Sequence, residues 1–170
     1  RSGAVFQAVL VGPLPARAAA HWLTRLKARF GRRPYIERLH AIIARENLHG
    51  CVAFTGELQA VADAVRECDV LVVPFIEPHF SRLCAEGAAA GRVVVAFDID
   101  GPGEEIIDGV TGVLAQPFDV EDLAFKLRWT LTHAEQRSTM GAAARAHAAN
   151  VFDAEKNMAA VHALYARLAV

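Results

Sequence analysis

"DVLVVPFIEPHFSRLCAEGAAAGRVVVAFDID", Asp69 to Asp100, decides how this chain folds. Two valine-rich runs flank a stretch in which an acid, a proline, a histidine and an aromatic precede Ser81 and Arg82. A single acid, Glu86, then stands among small residues. Apolar runs without polar alternation are the pattern of strands buried on both faces, as in a parallel sheet. Parallel neighbours need a crossover between them, and "SRLCAEGAAAG" is helical by composition. The stretch reads as strand, turn, helix and strand, which is one βαβ unit.

The same alternation extends outward in both directions. "AVFQAVLVG" (Ala4 to Gly12) and "CVAFTG" (Cys51 to Gly56) read as strands. "ARAAAHWLTRLKARF" carries Ala19, Trp22, Leu23, Leu26 and Phe30 at helical spacing and is closed by Gly31 and Pro34. "YIERLHAIIARENL" should bury Ile36, Leu39, Ile42 and Ile43 on one stripe, and "LQAVADAVREC" is a further helix. "DGPGEEIIDGVTGVLAQP" reads as a loop with a short helical turn and an extended piece at Val110 to Leu114. From Val120 three helical patterns follow to the C-terminus. The expected fold is a doubly wound α/β domain, residues 1–170 forming one Rossmann-like unit with C-terminal helices from about 120. Ligands of such sheets bind outside the carboxyl ends of strands. Two places qualify, the turn after "VLVVPF" and the loop after "VVVAFD".

Composition excludes several function classes. The chain has 170 residues, 54% hydrophobic and 22% charged, the balance of a globular core with a charged surface. A formal net charge of −1 supplies no basic field for nucleic acid. No apolar run reaches the ~20 residues that span a bilayer, and three scattered cysteines fit a reducing setting, so the expected location is the cytoplasm. The segment "RLKARFGRR" (Arg25 to Arg33) reads as a solvated helix face, with contact to a membrane surface as the alternative. Cys51, Cys68 and Cys84 show no metal-ligand spacing and read as small apolar fillers. GxGxxG and GxxxxGK[ST] are both absent, which removes the main support for a dinucleotide or P-loop site.

Ser81 and Arg82 fall where the crossover helix should start, and a helix start offers free N–H groups that suit a phosphate. Ser81 could equally be only a cap. Glu86 leaves two readings open: it reaches solvent or a nearby Arg, or it holds the vicinal hydroxyls of a ligand. Gly101, Gly103, Gly109 and Gly112, with acids among them, read as turns at the sheet edge or as a close approach to a ligand. His79 is a candidate donor or acid/base, with a merely exposed loop histidine as the alternative.

Taken in order, "AVLVG", "VAFTGE", "VRECDVLVVPF", "EPHFSRLCAEGAAAG", "VVVAFDIDGPGEEIIDGVTGVLAQPFDVEDLA" and the closing "YARL" resemble the C-terminal half of retaining GT-B glycosyltransferases, the glycosyl transferases group 1 or family 4. The resemblance implies a domain that binds a nucleotide-diphosphate sugar, UDP- or GDP-linked, whose sugar passes to an acceptor with retention of configuration. It implies no metal and no separate cofactor. It places ribose on Glu86, the diphosphate on the helix start at Ser81, Arg82 and Leu83, and the base against Gly56 and Glu57. The family's paired glutamates have seven residues between them, whereas Glu77 and Glu86 have eight. Glu77 and His79 are therefore both candidates for the position near the donor sugar. The family's Gly-Arg…Lys-Gly loop and its N-terminal acceptor-binding domain find no counterpart, so this chain alone is expected not to turn over. A non-catalytic nucleotide-sugar-binding or scaffolding module with the same half-fold is the alternative. An epimerase-like or receiver-like domain is disfavoured by the missing glycine fingerprint and acidic cluster.

Overall fold

The computed structural model describes residues 6–12 and 35–168, and the chain divides into two units, Arg1–Gln59 and Ala60–Val170. The helix expected before Gly31 and the basic segment Arg25 to Arg33 lie outside the described residues.

In the first unit, β1 (Ala8–Val11) and β2 (Val52–Gly56) pair in parallel, with Ala8 opposite Val52 and Leu10 opposite Phe54. Between them runs α1 (Tyr35–Arg45). Of the stripe expected on α1, Ile43 is buried, Ile36 and Leu39 are half-buried, and Ile42 is exposed. Consecutive helical residues point about 100° apart, so Ile42 cannot share the inward direction of Ile43. The His40 and Phe54 rings, 4.9 Å apart, join α1 to β2.

The second unit begins with α2 (Val61–Glu67) and then β3 (Val70–Val73), α3 (Arg82–Ala89) and β4 (Val93–Phe97). It continues with the short α4 (Pro102–Glu105), β5 (Gly112–Ala115), α5 (Val120–Thr132), α6 (Ala134–Val151) and α7 (Ala154–Leu168). The three strands form a parallel sheet in the order β3-β4-β5, with Val70 opposite Val93 and Val94 opposite Gly112. The architecture is α/β, with parallel sheets and helices on both faces of the second.

Strand β4 is buried throughout, and its period of two explains the layers around it. Val94 and Ala96 pack with Val73, Cys84, Ile106 and Leu114 under the α3 side. Val93 and Val95 pack with Val113 and Met140, and with Leu123 and Leu127 of α5, on the other side. Such strands cannot alternate apolar with polar residues, because neither face meets water.

Small residues bring α3 close to its neighbours. A Cβ on Gly87 would lie 2.8 Å from Val94 Cγ2 and 2.9 Å from Leu71 Cδ2, so the helix rests almost directly on the sheet. Ala88 meets Ala144 and Ala148 of α6, and a Cβ on Gly141 would lie 2.4 Å from the Gly91 carbonyl oxygen. "GAAAG" is thus a packing surface. Helix α7 has no buried residue, and Met158, Val161, Leu164, Tyr165 and Leu168 form an exposed stripe along it.

Candidate functional site

Two loops meet at the carboxyl ends of β3 and β4, the crevice where doubly wound sheets take ligands. The first leaves β3 at Pro74, which has no N–H to extend a ladder, and runs to Ser81. Ser81 is the N-cap of α3, with extended backbone (φ −99, ψ 94), and its hydroxyl accepts from the Cys84 N–H at 3.4 Å. Its own N–H donates to Glu105 Oε1 at 2.6 Å. The Arg82 and Leu83 N–H groups have no acceptor among the described residues. Beside them is an open pocket of about 300 Å³, lined by Phe75, His79, Phe80, Ser81, Arg82 and Leu83. Two free donors at the positive end of a helix, with aromatic walls, form a surface suited to an anion carrying a ring.

Glu86 lies one turn further along α3. Its side chain is 38% exposed, and Oε1 meets Arg82 Nε at 3.1 Å. The partner that a carboxylate in this apolar helix needs is therefore a guanidinium of the same helix. The Arg82 side chain is 87% exposed and the residue lines the pocket, so the pair is wet and weak.

Glu77 and His79 are exposed on the loop before Ser81. His79 Nδ1–H donates to the Glu77 carbonyl oxygen at 2.7 Å, so in the neutral ring Nε2 is left as an acceptor. Only the imidazolium form could donate from Nε2 to a ligand oxygen. The ring packs on Phe75 with centroids 4.6 Å apart. The second loop holds this one in place: His79 N–H donates to the Asp100 carbonyl at 3.2 Å. Gly101, at φ +100, passes so close that a Cβ there would lie 1.8 Å from the His79 oxygen. That glycine serves a close approach of backbone to backbone. Gly109, at φ +72, belongs to the turn into β5, where Asp108 Oδ1 accepts from the Leu114 N–H at 2.8 Å.

Glu105 is the functional-looking residue that sequence reasoning missed. It ends α4, is 7% exposed, and its second oxygen, Oε2, is buried without a partner among the described residues. Burial raises its carboxyl above the ordinary value, against the opposing effects of the Ser81 N–H and of His79. Beside Ser81, burial pushes the Cys84 thiol up to about 11, so this cysteine is a core filler and not a nucleophile.

Gly56 ends β2 at φ +73, where its carbonyl accepts from the Gly12 N–H at 3.0 Å, and Glu57 after it is exposed. Both belong to the first unit. Among the described residues no three His, Cys, Asp or Glu side chains gather as a metal site, and no helix is long and apolar enough to cross a membrane.

Known proteins resemble this chain in structure and in sequence. The structure is similar to HepE of Anabaena, solved in complex with UDP, with a TM-score of 0.79 and 26% identity over 95% of this chain and 41% of that one. In sequence it is 37% identical over 81 residues to an uncharacterised glycosyltransferase of Methanocaldococcus jannaschii, covering 48% of this chain and 23% of the relative. It is 38% identical over 88 residues to a D-inositol 3-phosphate glycosyltransferase of Kribbella flavida, covering 52% of this chain and 21% of the relative. The chain thus matches less than a quarter of the length of these two curated relatives. The family model of the glycosyl transferases group 1 matches residues 8–133, from β1 to the end of α5: the chain belongs to the glycosyl transferases group 1 family and has the half-domain fold of GT-B glycosyltransferases.

Proposed function

We propose that the chain is the donor-binding, C-terminal part of a hexosyltransferase-like enzyme that moves a sugar from a UDP- or GDP-linked donor to an acceptor with retention. The observation that carries this reading is the pair of unpartnered N–H groups, Arg82 and Leu83, at the mouth of an aromatic-walled pocket. The UDP bound by HepE supports it. In this reading the diphosphate lies on those N–H groups, and Glu86 leaves Arg82 to hold the ribose hydroxyls. Arg82 then turns its charge to the phosphates.

As the bond between the anomeric carbon and the phosphate oxygen breaks, negative charge grows on the departing nucleotide. Fixed N–H dipoles stabilise that charge without reorganising. Glu77 and His79 sit on the loop that faces the donor sugar and are its candidate contacts. Gly56 and Glu57 are assigned to the base. The reading requires neither metal nor separate cofactor, and it assigns the acceptor to a partner half, so these 170 residues alone are expected not to turn over. A cytoplasmic location fits a nucleotide-sugar donor.

A second reading, a non-catalytic nucleotide-sugar-binding module, is favoured by one observation: eight residues, not seven, separate Glu77 from Glu86. Thermal denaturation in millimolar UDP or GDP tests the donor site common to both readings. A rise in melting temperature that Glu86→Ala abolishes supports it. A wild type unmoved by either nucleotide contradicts it.

A further inference from the structure

We propose that Glu105 is a positioning residue of the donor site, holding the Ser81 N–H so that the start of α3 presents the Arg82 and Leu83 N–H groups to the diphosphate. The proposal rests on the donor-site reading and names the group that orients it. Ser81 is 1% exposed, so its N–H cannot turn to water if its acceptor is lost. The acceptor it has is a carboxylate oxygen at 2.6 Å, the length of a charge-assisted bond. Glu105 forms no ion pair with a cation among the described residues, and its Oε2 is buried and unpartnered.

A carboxyl group in that setting is a poor choice for stability alone, since any neutral acceptor could hold one N–H. It is also an unusual neighbour for an anion. The geometry reconciles these facts. By taking the first N–H of the helix start, Glu105 leaves only the next two for a phosphate, which sets where along the helix the anion sits. Its negative charge opposes tight retention of the nucleotide, which favours release of the leaving group.

The test compares the full chain with its Glu105→Gln and Glu105→Ala variants. UDP affinity is measured by calorimetry, the fold by circular dichroism, and the Ser81 amide proton by nuclear magnetic resonance. Glu105→Ala should bind UDP about tenfold more weakly, while Glu105→Gln, which keeps an acceptor without the charge, should bind within about threefold of wild type or more tightly. The Ser81 amide proton should stand far downfield in the wild type, move upfield in Glu105→Gln and move further in Glu105→Ala. A folded Glu105→Ala variant that binds like wild type overturns the proposal, and so does a Gln variant as weak as the Ala variant. Should Glu105→Ala fail to fold, Glu105→Gln decides, and an unmoved Ser81 amide proton refutes the contact. Absence of UDP binding by the wild type overturns the donor-site reading itself, and this inference with it. Unchanged binding in a folded Glu105→Ala variant, with a wild type that binds UDP, removes this inference alone.

Discussion

The Ser81 N–H and the Glu105 carboxylate, 24 residues apart in sequence, meet at 2.6 Å. That bond ties the loop leaving β3 to the short helix that follows β4, at the carboxyl ends of both strands. With the His79 to Asp100 backbone bond and the close passage of Gly101, it makes one wall of two loops. The free N–H groups of Arg82 and Leu83 open on the pocket beside that wall.

The raised carboxyl of Glu105 fixes a sign for stability against pH. Above its ordinary value of 4.5 the folded protein holds this proton more firmly than the unfolded chain does. The stability it contributes is complete below that ordinary value and is lost as pH rises through the higher folded value. Glu105→Gln cannot ionise, so the difference in unfolding free energy should move in its favour as pH rises. Urea denaturation from acid to neutral pH checks this, and parallel profiles for the two proteins would contradict it.

Gly101→Ala should be severely destabilising. The substitution asks a Cβ to occupy φ +100 and to lie 1.8 Å from the His79 carbonyl oxygen. Positive φ for a residue with a side chain costs about 1–3 kcal/mol before any clash, so a loss of at least about 2 kcal/mol is expected by chemical denaturation. The adjoining pocket should deform with the loop, and nucleotide affinity should fall as well.

Gly141→Ala separates packing from helix propensity. On an exposed helix this change gains up to about 1 kcal/mol. In α6 the new Cβ would lie 2.4 Å from the Gly91 carbonyl oxygen, where only backbone can give way. The expected outcome is a lower melting temperature; a rise would show that α3 and α6 are further apart than described.

The Arg82–Glu86 pair is exposed enough that breaking it should hardly affect folding. Glu86→Gln and Arg82→Ala are each expected to lose no more than ~0.5 kcal/mol of stability. Both should weaken UDP binding, measured by calorimetry, because each group is assigned to the ligand. A variant that binds as the wild type does removes that residue from the site.

The strands were legible in the sequence because "VVVAF" meets no water on either face, and "VLVV" beside it carries the same unbroken apolar pattern although Val72 is exposed. The start of α3 was legible because Ser81 precedes a helical run, and the structure makes it the cap. Glu105 was not. "PGEE" falls in a glycine-rich stretch that reads as turns with acids among them, and only the fold, by bringing Ser81 against the second acid, singles that one out as buried. The small residues of "GAAAG" framed Glu86 as an oddity in the sequence. In the structure they are the reason α3 lies on Val94 and Leu71, and Glu86 meets Arg82 at the edge of that contact. Ile42 shows the same limit, since an apolar residue at the border of a stripe is buried only if a neighbour covers it.

The central claim is that nucleotide diphosphate binds on the Arg82 and Leu83 N–H groups. Titrating the ¹⁵N-labelled chain with UDP and with GDP, while following each backbone amide, tests it most directly. The account predicts saturable shifts at Arg82 and Leu83, with smaller ones at His79 and Glu86. Shifts confined to another place, such as the pocket formed by Asp108, Phe125 and Trp129, or no shifts at all, would contradict it.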